Sequence, residues 1–178
     1  MSKLIYQIDP AHSSAQFKIR HLMIANVKGE FTKISGTVQF DPSDPSASLV
    51  EATIEVASVS TREPQRDTHL RSADFFDVEK YPAIAFRSTD IVPAGGSDFE
   101  VVGDLTIRGV TKQVALSAEL SPEIKDPFGL LRRGAEAKTK ISRKDFGVTY
   151  NAVLEAGGFA IGDDVEITID VEMTRKPE

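Results

Sequence analysis

Cysteine and tryptophan are both absent from this 178-residue chain. Without cysteine there are no disulfide bonds, no thiol nucleophiles and no cysteine ligands for zinc. Long apolar runs are missing as well, since stretches such as Leu22-Met23-Ile24-Ala25 end after a few residues. A membrane-spanning helix needs roughly 20 consecutive apolar residues. We therefore expect no integral membrane segment.

Basic residues are the minority charge, with 21 lysines and arginines against 27 acidic residues and a net charge of −6. This balance argues against non-specific binding to nucleic acid. The N-terminal residues Met1 to Asp9 reach polar side chains before a signal-peptide core can form, so a cytoplasmic location is expected unless a leader has been removed. The length and an average composition, 40% hydrophobic and 27% charged, predict a single domain over residues 1–178.

Apolar and polar residues alternate with a period of two in about eight segments. Such alternation is typical of antiparallel strands that face an apolar interior on one side and water on the other. Proline-, glycine- and serine-rich turns at 41–46, 93–97 and 108–111 favour hairpins between neighbours. We predict an all-β fold, an eight-stranded antiparallel up-and-down barrel, with a two-sheet sandwich as the alternative. The segments are 15–21, 34–40, 50–56, 84–88, 99–107, 114–120, 135–141 and 165–171.

Residues 61–81 break the alternation and predict a short helical lid over one end of the barrel. Ser60 or Thr61 is the expected N-cap of a helix with Pro64 in its first turn. Ser72 is expected to cap a second turn that carries Phe75 and Phe76. Residues 121–134 are predicted to form a second long loop.

The inward face is rich in small residues, and an eight-stranded barrel is just wide enough either to be filled by side chains or to hold one ligand. Both interpretations remain open on this pattern alone. If there is room, the phenylalanines on the same face predict an apolar guest. The small inward positions are Gly36, Ala52, Gly103, Ala118, Ala135, Ala137 and Thr139.

Signals for catalysis or metal binding are weak, and we predict neither a catalytic nor a metal site. With only three histidines, the strongest constellation is Asp67-Thr68-His69 together with His21 or His12. We interpret His69 as a side chain that ties the lid to the barrel rim. An enzyme with a His21/Asp67/His69 site is kept as a competing hypothesis. A stress-related protein-interaction module with a filled barrel is another.

Two further motifs are short and isolated. Asp145-Phe146-Gly147 matches the magnesium motif of kinases, but the other kinase motifs are absent, so we interpret it as a coincidence. The pairs Arg132-Arg133 and Arg143-Lys144 are expected in solvated loops. Contact with an anionic head group is their alternative role.

Eleven short segments form a set that extends over nearly the whole chain. The first is Ile8-Asp9-Pro10-Ala11-His12-Ser13, and the others are 17–22, 29–31, 36–38, 58–61, 66–72, 74–78, 81–82, 86–89, 103–111 and 143–147. Taken together they resemble the YceI-like, polyisoprenoid-binding family, from about Tyr6 to Met173. One difference is Tyr6-Gln7, where relatives often carry a tryptophan just before the Ile-Asp-Pro stretch.

This resemblance implies a lipocalin-like barrel that binds, stores or transports a long isoprenoid or similar lipid, such as a polyprenyl phosphate or a quinone tail. It implies no cofactor other than such a lipid, and a homodimer is left open. We predict that the head group stays at a mouth near His21 or Arg143. The predicted lining is Phe17, Ile19, Phe31, Val38, Phe40, Ile54, Ile84, Phe86, Leu105 and Ile107, with Phe75, Phe76 and Phe146 near the ends.

Overall fold

A computed structural model describes residues 3–152, 154 and 160–178, and this part of the chain contains twelve β-strands and one α-helix. The helix, α1, covers Pro64–Arg71. The strands are β1 (Leu4–Ile8), β2 (Ser14–His21), β3 (Ala25–Phe31), β4 (Ile34–Phe40), β5 (Leu49–Glu55), β6 (Val59–Ser60), β7 (Ala83–Gly95), β8 (Asp98–Ile107), β9 (Val110–Leu120), β10 (Ile124–Lys125), β11 (Leu131–Ser142) and β12 (Ile161–Arg175).

Eight antiparallel strands close into a barrel in the order β1-β4-β5-β7-β8-β9-β11-β12. Strand β12 pairs with β11 along one edge, while its other edge is shared by β1, at Met173 and Thr174, and by β2. The predicted eight-stranded barrel is therefore confirmed, and the sandwich alternative is wrong. The order follows the chain except that the β2–β3 hairpin, with β6, extends the wall at one end.

The two ends of the barrel differ. At the lid end lie α1, the β2–β3 turn, and the C-terminal ends of β8 and β11. The far end carries the start of β1 and the end of β12. Alternation missed β1 and β3 because β1 is short and because Gly29 interrupts the apolar side of β3 between Val27 and Phe31.

Strands β9 and β11 pair only through 117–120 and 135–138, so they separate toward the lid end. The chain leaves β11 in a short 3-10 turn, Arg143–Phe146, that ends at Gly147 with a φ of 75°. Phe146 is 2% exposed and belongs to the buried core against which Val110, Val114 and Ile141 pack. The Asp145-Phe146-Gly147 stretch is thus a structural wedge beside the separated parts of the two strands.

The predicted turns are present, although some are tighter than expected. Residues 41–46 connect β4 and β5, whereas β7 continues through Pro93 to Gly95. Between β8 and β9 only Arg108 and Gly109 form the turn, with φ of 50° and 73°. An added Cβ on Gly109 would lie 2.7 Å from the Tyr81 ring, so glycine is required both for the backbone angle and for space.

The N-cap of the lid helix lies two residues after Thr61, the later of the two predicted N-caps. Glu63 is the N-cap of α1, and its carboxylate accepts from the Arg66 amide at 2.8 Å. Thr61 instead lies ahead of the helix and bonds to Asp67. Ser72 does cap the following turn, because its Oγ accepts from the Asp74 amide at 3.3 Å. The predicted loop 121–134 contains β10 and the first residues of β11.

Beneath the lid lies the main hydrophobic core. It joins the inward residues of the strands at the lid end to the 3-10 turn after β11 and to the chain around β6. Its buried members are Ala15, Phe31, Val56, Val59, Ile84, Ile107 and Phe146.

Candidate ligand cavity

The barrel encloses a cavity of about 590 Å³, within the range of small-molecule sites. Its wall is almost entirely aliphatic and aromatic and extends from the lid end to Phe40, Phe99 and Met173 near the far end. The structure places every predicted lining residue in this wall, and that they contact a ligand stays a prediction. These residues are Phe17, Ile19, Phe31, Val38, Phe40, Ile54, Phe75, Phe76, Ile84, Phe86, Leu105, Ile107 and Phe146.

Small inward residues serve two different purposes. Ala52, three further alanines and Thr139 line the cavity directly and leave it room. Gly103 instead accommodates a phenylalanine, since an added Cβ would lie 2.6 Å from the Phe86 ring. Gly29 has the same relation to Phe17. Gly103 and Gly29 therefore leave space for phenylalanine rings, whereas a Cβ on Gly36 would meet the backbone of Glu51.

At the lid end, three rings meet around the cavity. His69 lies 4.9 Å from Phe75 and 5.0 Å from Tyr150, and Phe75 lies 5.2 Å from Tyr150, all in edge-to-face arrangements. The Nε2 atom of His69 is 2.8 Å from Asp74 Oδ2. His69 thus joins the lid to the segment after β11, in agreement with its interpretation as a tie between lid and rim.

The structure does not assemble the candidate enzyme site. Asp67 is buried, and its Oδ1 accepts from the amide of Thr61 at 2.8 Å and from its hydroxyl at 2.6 Å. Arg66 donates to the same Thr61 at 2.7 Å. Among the described residues no hydrogen bond joins His21, Asp67 and His69 to one another. Asp67 and Arg66 therefore fix the start of the lid.

Arg143 is not a solvated loop residue, contrary to expectation. Its side chain is 5% exposed and donates to the carbonyls of Gly162 at 2.7 Å, Val148 at 2.8 Å and Tyr150 at 2.9 Å. Burial lowers the pKa of Arg143, and Asp163, 4.0 Å away, opposes that shift. The residue lines the cavity while most of its donors hold the rim in place. Its contact with a head group remains a prediction.

The cavity reaches the surface at the lid end. Several of its lining residues there are exposed, among them Arg20, His21 and Ala152, and Tyr150 is 39% exposed. Arg20 and His21 belong to the β2–β3 hairpin, whereas Tyr150 contacts His69 of the lid. We call this opening the mouth.

The far end carries a partly buried polar network that sequence reasoning missed. Tyr6 is fully buried and donates to Glu123, while Arg133 Nε donates to the Tyr6 hydroxyl at 3.0 Å. Arg175 donates to both oxygens of Glu123, at 2.9 and 3.0 Å. The hydrogen bonds from Arg175 and from Tyr6 lower the pKa of the Glu123 carboxyl. Arg133 also lies over the Phe40 ring, at 5.4 Å from the ring centre.

Arg132 lies in β11 as well, so the Arg132-Arg133 pair is part of a strand and not of a solvated loop. Carboxylates of Asp9 and Glu172 and the ring of His12 have ligand atoms within 4.8 Å of one another. Arg132 Nη1 already donates to Asp9 at 2.9 Å and to Glu172 at 3.1 Å. Arg132 thus supplies the positive charge that balances the carboxylates of Asp9 and Glu172.

No helix in the described part of the chain is long and apolar enough to cross a bilayer. Fold and cavity together define a lipocalin-like β-barrel with an apolar interior that opens at one end. The chain belongs to the YceI-like family, whose domain model matches residues 6–173. This agrees with the family that the motifs predicted.

Relatives and solved structures support the assignment. The chain is 44% identical to a UPF0312 protein of Serratia proteamaculans (strain 568) over 172 residues, which is 96% of this chain and 86% of that protein. BcnA of Burkholderia cenocepacia superposes with a TM-score of 0.81 at 25% identity and covers 93% of this chain and 98% of that one. A domain of Saccharophagus degradans, described as polyisoprenoid-binding, shares the fold at 17% identity, with a TM-score of 0.67 and coverages of 97% and 98%.

Proposed function

We propose that the protein binds the long apolar chain of an isoprenoid or similar lipid inside the barrel and carries or stores it. The observation that carries the proposal is the closed barrel with a 590 Å³ apolar cavity that has exposed lining residues at the lid end. A barrel packed solid would favour an interaction module, and the interior is not packed solid. Membership in the YceI-like family and the unassembled His21/Asp67/His69 site favour a binding protein over an enzyme.

Affinity comes mainly from the tail. Each methylene that leaves water for the cavity contributes about 0.8 kcal/mol. Strands of ten residues, such as β8, and fifteen, as in β12, rise about 3.3 Å per residue, so the wall accommodates an extended chain. A polar head cannot enter this lining without losing its hydrogen bonds to water. We therefore place the head at the mouth, where His21 and His69 are accessible and Arg143 lies in the wall.

The first test is native mass spectrometry of the purified protein, followed by organic extraction and identification of the lipid. A stoichiometric isoprenoid or quinone supports the proposal and identifies the ligand class. A protein that is empty and also refuses added polyprenyl lipids contradicts it.

A matched pair of variants tests the location of the tail. Phe86→Asp places a carboxylate in the cavity wall, so we expect folded protein that has lost lipid binding. The control is Ala85→Asp, which adds the same charge one residue away on the exposed face of β7. Circular dichroism confirms folding of both variants. Equal lipid retention in the two contradicts an interior binding site.

A further inference from the structure

The tip of the β2–β3 hairpin presents three consecutive apolar residues to solvent. Leu22 is 40% exposed, Met23 56% and Ile24 78%. Exposed apolar residues are ordinary when isolated, but a contiguous group at the end of a projecting hairpin indicates a contact surface. We call these three residues the hairpin tip.

The backbone of the hairpin tip is unfavourable for its side chains. The Ile24 amide donates to the His21 carbonyl at 3.2 Å, and the two central residues have φ of 51° and 62°. Turns with two positive φ angles favour asparagine, aspartate and glycine, whereas here they hold leucine and methionine. The Arg20 guanidinium, 3.3 Å from the Met23 carbonyl, and the Leu22 amide, 2.7 Å from the Ala160 carbonyl, keep this turn in place. Strain retained on exposed apolar residues points to function.

The hairpin tip adjoins the mouth. His21, the last residue before the tip, pairs with Ile161, and both residues line the cavity together with Ala160. The outward face of the same hairpin carries exposed Arg20 and Lys28. Apolar tip, cationic flank and cavity mouth thus form one continuous surface on a chain whose net charge is −6.

We propose that the hairpin tip inserts into the interfacial layer of a lipid bilayer and holds the mouth against the membrane. The three side chains enter the boundary between head groups and acyl chains, while Arg20 and Lys28 meet lipid phosphates. So small an apolar group gives weak and reversible docking. The purpose of this docking, transfer of a tail between bilayer and cavity without passage through water, rests on the proposed function. The docking itself is a separate property of the surface.

The absence of tryptophan makes a direct test simple. Ile24→Trp introduces a single reporter at the hairpin tip, at a position without a positive φ. With vesicles of phosphatidylcholine and phosphatidylglycerol, we expect a blue shift of its fluorescence and quenching by lipids with brominated acyl chains. Phe128→Trp is the control, because Phe128 is 90% exposed in the loop between β10 and β11, at the far end. Unquenched fluorescence at the tip, or equal quenching at both positions, overturns the proposal.

A second pair of variants removes the apolar surface. Leu22→Asn with Met23→Gly supplies residues that suit the turn, so the protein is expected to fold. We expect its vesicle-bound fraction and its rate of polyprenyl-phosphate extraction from vesicles to fall about tenfold. Phe128→Ser, which loses a comparable exposed apolar group, should change neither the vesicle-bound fraction nor the extraction rate. Unchanged extraction by the tip variant contradicts the proposal.

Failure of the docking proposal and failure of the proposed function give different results. A short-chain prenyl phosphate that dissolves in water without detergent reports on the cavity alone, and the tip variant should bind it as the parent does. Quenching at the tip without any lipid uptake supports docking and rejects lipid binding. Lipid uptake without quenching rejects docking. A tip needed only for uptake from a carrier protein, and not from vesicles, assigns the surface to a protein partner and overturns the membrane proposal.

Discussion

The far end and the lid end of the barrel are held by different kinds of interaction. At the far end, Tyr6, Glu123 and Arg175 form a network in which donors and acceptors are paired. At the lid end, rings of His69, Phe75 and Tyr150 meet edge to face beside a mouth with exposed residues. The partly buried charges of Glu123 and Arg175 are costly to separate, because each partner would be left unpaired. Aromatic contacts beside an exposed rim are less costly to separate, so we expect the rim of the lid end to open more readily than the far end.

A single clasp adds to the lid end. Arg108, in the β8–β9 turn, donates through Nη1 to the Gly147 carbonyl and through Nη2 to the Ala73 carbonyl, both at 2.8 Å. It thereby joins the lid to the segment after the 3-10 turn. Opening of the lid would have to break these bonds, the rim contacts and part of the core beneath.

The largest effect is expected beneath the lid. Phe146→Ala removes a ring from the buried core, and truncation of a buried phenylalanine costs about 3–5 kcal/mol of unfolding free energy. Urea denaturation followed by circular dichroism measures the loss. Phe128→Ala, at an exposed position, is the matched control and should change stability by less than about 0.5 kcal/mol. Similar losses in both variants would refute the wedge role of Phe146.

A smaller effect is expected at the far end. Glu123→Gln weakens the bonds from Arg175 and Tyr6, and we expect a loss of about 1–2 kcal/mol at neutral pH. Because the pKa of Glu123 is lowered from its ordinary value of 4.5, its stabilisation is complete above that value and is lost as the pH falls through the folded pKa. The gap in unfolding free energy between parent and variant should therefore be constant above about pH 5 and shrink at lower pH. A gap that does not depend on pH would contradict this role.

The smallest effect on global stability is expected at the clasp. Arg108→Met removes two hydrogen bonds at a partly exposed site and should cost about 1 kcal/mol. The more sensitive measurement is amide hydrogen exchange, which should quicken at Phe76 and Val78 in the lid and stay unchanged at Glu172 near the far end. Arg108→Lys retains the charge but not the guanidinium that donates to both carbonyls. Its exchange rates in the lid should lie between those of the parent and of Arg108→Met. Equally faster amide exchange at both ends would contradict the difference proposed between the lid end and the far end.

Much of the barrel could be predicted because alternation records directly which residues face inward. Seven of the eight predicted segments lie within strands, the eighth runs one residue past β5 to Val56, and the inward phenylalanines lie in the cavity wall. The exceptions have a local cause. Strand β1 is only five residues long, and Gly29 breaks the pattern of β3, where it leaves space for the Phe17 ring.

The candidate site could be predicted only for those residues whose place in the cavity wall follows from burial alone. The predicted solvated loops of Arg132-Arg133 and Arg143 were wrong because each guanidinium has at least one partner that is remote in the chain. Arg133 reaches Tyr6 across 127 positions, and Arg143 binds the Gly162 carbonyl 19 residues later. No local pattern contains such partners.

The sequence by itself determined the class of fold, the inward face and the apolar character of the interior, since these follow from the period of the side chains and the solvent preference of each residue. Only the tertiary structure decided that the interior stays open and that the mouth lies beside the hairpin tip. The tertiary structure also decided that paired charges hold the far end. Those features depend on distances between residues remote in the chain, which strand pairing sets and local pattern does not contain.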